Sequence, residues 1–150
     1  MGTWGITAFE DDTALEFYDE FCESNQSVDE LQKGIELVLS NKYNMDEMDS
    51  LTEGFDEPVR ALVYAEIIAK AMGKPSEKYP DNEYHSDMEI KEIEFDSIVD
   101  KLSDNLKEKA INAVQKIKVD QNMHLNVLWL ESDSYDEWKK YLDGLIVRLN

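Results

Sequence analysis

Apolar residues return at helical spacing along most of this 150-residue chain. Ala14, Leu15, Phe17, Tyr18, Phe21 and Cys22 predict a first helix from Thr13 to about Glu23, capped by Asp11 or Asp12. Asn25-Gln26-Ser27 breaks that pattern. Ser27 with Glu30 then forms a capping box for a second helix, about Val28 to Leu39, whose stripe is Leu31, Ile35, Val38 and Leu39. Residues 41–55 read as a polar, acidic connection with room for a short helical turn. Asp56-Glu57-Pro58 has the form of a helix start: a cap, an acid in the first turn, and a proline where no amide is needed. From Pro58 to Met72 the chain is apolar on most sides, which predicts a central, largely buried helix ended by Gly73-Lys74-Pro75.

The stretch 76–94 is the least regular. Lys78-Tyr79-Pro80-Asp81-Asn82 reads as a turn. Met88 to Phe95 carries both helical spacing and partial alternation, so a short strand stays open there. Asp96 caps a predicted helix through Ile98, Val99 and Leu102, and Ser103 or Asp104 starts the next, with Leu106, Ala110, Ala113, Val114 and Ile117 on one face. Leu125, Val127, Leu128 and Trp129 form a short apolar segment. Asp133-Ser134 then caps a last helix through Tyr135, Trp138, Leu142, Leu145, Ile146 and Leu149. Gly144 inside it costs roughly 1 kcal/mol against alanine and reads as the mark of a close helix contact. The pattern predicts an all-α fold, a compact single-domain bundle of about six to eight short helices over residues 1–150. In the opening block, Trp4 and Phe9 are read as core anchors, with Gly2 and Gly5 letting the backbone turn.

Charge changes the picture. The formal net charge is −19. Residues 1–57 hold 16 acids against Lys33 and Lys42 alone. Such a surface disfavours direct contact with nucleic acid, whose phosphates require bases. A basic protein is the natural partner, with the acids steering the encounter. No apolar run approaches the roughly 20 residues of a membrane span, and no secretory leader is evident. Ile6 stands where a myristoylation signal needs Ser or Thr. Cys22 is the lone cysteine, which excludes an internal disulfide and fits a reduced, cytoplasmic setting.

Candidate chemistry is sparse. His85 and His124 lie far apart and outside any metal-binding pattern, so no metal or cofactor is expected, and both are read as exposed or hydrogen-bonded histidines. Cys22 has no local cation to activate it and reads as a buried thiol. Asp46, Glu47, Asp49, Glu53 and Gly54 miss the register of a calcium loop, and Gly73-Lys74 lacks the rest of a phosphate loop. Acid pairs such as Asp11-Asp12 are expected by chance in a chain with 34 acids, so no enzyme is inferred from them. Three acidic stretches stand out: Asp12, Glu16, Asp19, Glu20 and Glu23; the segment 46–57; and Asp81 to Glu94, interleaved with Tyr79, Tyr84, His85 and Met88. Tyrosines among charges give the last the better recognition chemistry.

The block Met1-Gly2-Thr3-Trp4-Gly5, the following Ala8-Phe9-Glu10-Asp11-Asp12 and Ala14 resemble the bacterial DUF4259 family. The Ala-rich helix Ala61–Ala71 ending at Gly73-Lys74-Pro75 fits as well, as do Leu128-Trp129-Leu130-Glu131-Ser132 and Glu137-Trp138. The chain departs from that pattern at Ile6-Thr7, where a smaller residue is expected, and the middle, about 76–100, has no match. The resemblance implies a fold and a bacterial origin, and brings no catalytic residues. Small acidic proteins of such families often accompany polymorphic toxins as immunity partners. The leading expectation is therefore an immunity-type inhibitor of a basic toxin domain such as a nuclease, contacting it through Asp46, Glu47, Asp49, Glu53, Tyr84, Asp87, Glu89 and Glu92. The alternative is a small helical enzyme or ligand-binding domain with a concave pocket holding buried carboxylates or His124. A third reading is a self-associating structural protein, with an apolar helix face such as Trp138 and Leu142 exposed.

Overall fold

A computed structural model describes residues 5–44, 46 and 48–150, with the backbone alone described over 48–52. Trp4 and Gly2 lie outside the described residues. The fold is all-helical. A 3-10 turn, Ala8–Glu10, leads into α1 (Asp12–Glu23), α2 (Val28–Ser40), α3 (Met48–Ala71) and α4 (Asn82–Met88). Then follow α5 (Phe95–Lys101), α6 (Asp104–Val119), α7 (His124–Leu130) and α8 (Tyr135–Leu149). Among the described residues no helix is long and apolar enough to cross a membrane.

The organising element is α3, which packs against α1, α2, α5, α6, α7 and α8. Every residue from Ala61 to Ala69 is buried, so this helix has no solvent face there. Around it the amphipathic helices turn in their stripes: Tyr18 and Phe21 from α1, Leu31 and Ile35 from α2, Leu106 and Ile117 from α6, Trp138 and Leu142 from α8. Phe9 joins that core, as its place in the opening block predicts. Gly34 permits the closest approach. A Cβ there would lie 2.4 Å from the ring of Tyr64, so the bare backbone of α2 lies against α3.

Helix ends follow local chemistry where the sequence supplies it. Asp11, Ser27 and Ser103 accept from the backbone amides of Thr13, Glu30 and Leu106, at 2.7, 3.1 and 3.0 Å. Gly73, with φ of 81°, ends α3: its amide reaches Lys70 and that of Lys74 reaches Ala69, both at 2.9 Å. Two ends are closed by other elements. Lys116 of α6 donates to the carbonyl of Val38 in the last turn of α2 and to that of Asn41 just past it. The buried Asn126 donates to those of Ile117 and Lys118 at the end of α6.

Several expectations are corrected. α3 begins at Met48, ten residues before the predicted start, and carries Pro58 in its interior. Pro58 offers no amide to the Gly54 carbonyl, a defect of about 3 kcal/mol in an isolated helix. Packing holds the extra turns. A Cβ on Gly54 would stand 2.9 Å from the backbone nitrogen of His124, and Asn41 donates to both carboxylate oxygens of Glu57. The irregular stretch contains α4, and 89–94 forms neither strand nor helix. Asp96 lies inside the first turn of α5 rather than capping it, and Ser134 precedes α8 without a side-chain cap bond. Gly144 faces open space instead of a neighbouring helix. Trp138 and Leu142 are fully buried, Trp138 stacking on Trp129 at 5.7 Å, so these two residues offer no exposed face for self-association.

Candidate functional site

The acids of α1 and those of the segment 81–94 meet on one face, because α4 is latched onto α1. Asp81 starts α4 by accepting from the Tyr84 amide at 2.9 Å. That turn aims two side chains at α1. His85 goes inward and shares a buried 2.7 Å hydrogen bond between its Nε2 and the Tyr18 hydroxyl. Its Nδ1 lies 2.9 Å from the Lys91 carbonyl, which only accepts, so Nδ1 carries the proton and Nε2 accepts from Tyr18. Burial, then the neighbouring Tyr79 hydroxyl, raises the Tyr18 pKa far above the usual tyrosine range, so the hydroxyl keeps its proton and joins α4 to α1. Tyr84 is half-buried and donates to Asp19 at 2.7 Å.

The chain after α4 is held by side chains of α1 and of the loop that follows it rather than by a sheet. Glu89 adopts a left-handed conformation at φ 54° and turns the backbone back. The Lys91 amide then donates to Glu23 at 3.0 Å. Gln26 donates to the Glu92 carbonyl and accepts from the Glu94 amide. These contacts satisfy the backbone groups that a strand pairing would have used.

Asp12, Glu16, Asp19 and Glu23 follow i, i+4, i+7, i+11 spacing and so form one stripe of α1 beside α4. Glu83, Asp87, Glu89, Glu92 and Glu94 are exposed on the adjoining segment. The ion pairs among the described residues are Lys107–Asp104, Lys109–Glu36, Lys118–Asp143, Lys139–Asp136 and Arg148–Glu66. None of them includes an acid of this face.

The predicted contact residues divide into two groups. Tyr84, Asp87, Glu89 and Glu92 belong to the face just described, with Tyr84 partly committed to Asp19. Asp46 and Glu53 are exposed near the start of α3. Glu47 lies outside the described residues, as does the side chain of Asp49. Lys70, next to α4, is 17 residues along α3 from Glu53, a rise of ~25 Å. The two groups thus stand toward opposite ends of the central helix.

Three further titratable groups are buried. Cys22 is fully buried and burial pushes its thiol up to about 12. Burial also raises the Glu57 carboxyl, which Asn41 holds. Glu66 is fully buried in the middle of α3, 2.7 Å from the Arg148 guanidinium, and burial raises its pKa too. His124 is half-buried against Phe55. No group of three or more metal-ligating side chains is assembled among the described residues.

Beside the acidic face lies a feature the sequence reading missed. A half-open cleft of ≈ 390 Å³ runs between the end of α3, α4 and the start of α5, lined by Lys70, Tyr79, Asp81, His85, Glu92 and Phe95 among others. Lys70 looks in sequence like an ordinary cation complementing a helix C-terminus. Only the fold carries Tyr79 and Phe95 beneath its ammonium.

No curated protein and no solved structure matches this chain. A family model described as "Domain of unknown function (DUF4259)" matches residues 2–141. That match spans the N-terminal block, the central helix and the start of α8, and by it the chain belongs to the DUF4259 family.

Proposed function

We propose that this protein is an immunity-type inhibitor that binds a basic toxin domain through the face shared by α1 and the segment 81–94. One observation carries the reading: two chain segments far apart in sequence are latched together so that their carboxylates share a surface, and no ion pair among the described residues includes them. Such a field speeds encounter with a basic partner and stands in for the phosphates of that partner's substrate. Asp87, Glu89 and Glu92 contact the partner's bases, and the Glu16 and Glu20 carboxylates extend the patch along α1.

Affinity capture from the native host, at low and high salt, tests this. The wild-type protein is expected to retain one basic protein at low salt and less of it at high salt. A variant with Glu16, Glu20, Asp87 and Glu92 changed to Lys should lose that protein while keeping its helical circular dichroism. Equal retention by the variant would remove the acidic face from the mechanism.

A further inference from the structure

The cleft beside the acidic face has a polarity of its own. Its inner cation is Lys70, half-buried at the end of α3. The ammonium stands 5.5 Å from the ring centroid of Tyr79 and 5.9 Å from that of Phe95, which orient it over aromatic faces. Lys70 belongs to none of the ion pairs among the described residues, although the chain holds 34 acids. Ring faces fix an ammonium in place but do not neutralise it, so its charge remains open to an anion entering the cleft.

The cleft wall and rim narrow the choice of ligand. Tyr18 and His85 contribute a floor whose polar atoms are already committed to each other and to the Lys91 carbonyl. Pro80, Ile93 and Phe95 add apolar surface. Asp81 and Glu92, both exposed, complete the lining, with one Asp81 carboxylate oxygen capping α4. The lining therefore combines a half-buried cation, apolar side chains and two exposed acidic residues. The net charge of −19 repels a simple anion, while a zwitterion carries no net charge into that field. The volume of ≈ 390 Å³ falls in the range of about 300–1,000 Å³ common for small-molecule sites.

The geometry points to a binding site for a free aromatic amino acid, with its carboxylate on Lys70, its ring against Ile93 and Phe95, and its ammonium on the Glu92 and Asp81 rim. Tyr18 and His85 direct their donors to each other and to the Lys91 carbonyl, so the assignment is one of binding. The assignment shares Glu92 with the partner reading, so the Lys70 titrations, at a residue the partner face does not use, test the cleft by itself.

Calorimetric titration of the full chain with L-phenylalanine, phenylacetate and phenethylamine tests the assignment. L-phenylalanine should bind saturably at millimolar or lower concentration, with each single-charge analogue weaker by roughly tenfold or more, the worth of one charge-assisted hydrogen bond. Lys70→Met should abolish the preference for L-phenylalanine over phenethylamine, and Lys70→Arg should retain it. Glu92→Gln, at an exposed position, should weaken L-phenylalanine and leave phenylacetate unchanged. Absence of saturable L-phenylalanine binding overturns the site. So does equal binding of the three compounds, or a folded Lys70→Met protein that binds L-phenylalanine as the wild type does. If Lys70→Met fails to fold, the Lys70→Arg and Glu92→Gln titrations decide, and unchanged affinity in Glu92→Gln counts against the rim.

Discussion

Tyr18 and His85, 67 residues apart in sequence, share a 2.7 Å hydrogen bond inside the protein, and that bond joins α4 to α1. α4 has only seven residues, and His85 is its one buried side chain. Short helices of this kind do not hold themselves together. Tyr18→Phe removes the hydroxyl and leaves Nε2 of His85 buried without a donor. Such an orphaned group costs about 1–3 kcal/mol. Urea unfolding should show that loss. Hydrogen exchange should rise first in the amides of 82–94, because their anchor is gone while the core of α3 is intact. Uniform exchange change across all helices would show that the bond does not act as a local latch.

Two glycines make opposite predictions. Gly34→Ala puts a Cβ 2.4 Å from the Tyr64 ring and forces α2 away from α3. Overpacking of this kind costs about 1–3 kcal/mol. Gly144→Ala meets nothing within 4 Å and replaces glycine by the best helix former in α8. It should stabilise the protein by up to ~1 kcal/mol. Paired thermal melts give the answer directly, and a destabilised Gly144→Ala would contradict the open surface found there.

Glu89 separates folding from recognition. It occupies the left-handed region at φ 54° and ψ 42°, where a side chain costs about 1–2 kcal/mol and glycine does not. Glycine loses more chain entropy on folding, roughly 0.5–1 kcal/mol. Glu89→Gly is therefore expected to hold or slightly raise stability, while removing a carboxylate from the proposed contact face. Weaker capture of a basic partner together with an unchanged or higher melting midpoint is the expected pair of results. A β-branched Glu89→Val should destabilise instead.

Much of this architecture is legible in the residues. Ser27 and Ser103 sit ahead of clean apolar stripes, so local capping and burial agree and α2 and α6 fall where expected. Pro58 misleads because its physics suits a first turn, yet Gly54 seated on the His124 backbone and Glu57 held by Asn41 keep the helix running before it. α4 escapes detection for a different reason: one inward histidine makes no stripe. The acids of the candidate face are visible as composition, but their union depends on Tyr84 reaching Asp19 and on Lys91 reaching Glu23. The role of Lys70 is invisible until Tyr79 and Phe95 are brought to it.

The buried pair Glu66–Arg148 should make stability depend on pH in a defined direction. Glu66 is fully enclosed by α3 packing, and Arg148 brings the only guanidinium within ion-pair distance of it. Arg148→Met leaves the carboxylate buried without its cation, a change that costs roughly 3–5 kcal/mol at neutral pH. Burial already raises the Glu66 pKa above that of an ordinary carboxyl, and loss of Arg148 raises it further. The folded state then holds a proton that the unfolded chain has released. Below the ordinary carboxylate pKa of about 4.3 both states are protonated and the penalty is absent; it grows as pH rises from there through the raised folded value. The gap between wild type and Arg148→Met should therefore narrow on acidification, read by urea titration across the acid and neutral range. Glu66→Gln combined with Arg148→Met should flatten that dependence, since no titrating group is left at the site. A double variant with the same pH slope as Arg148→Met alone would place the titration on another carboxylate, with Glu57 the first to change, because burial raises its pKa as well.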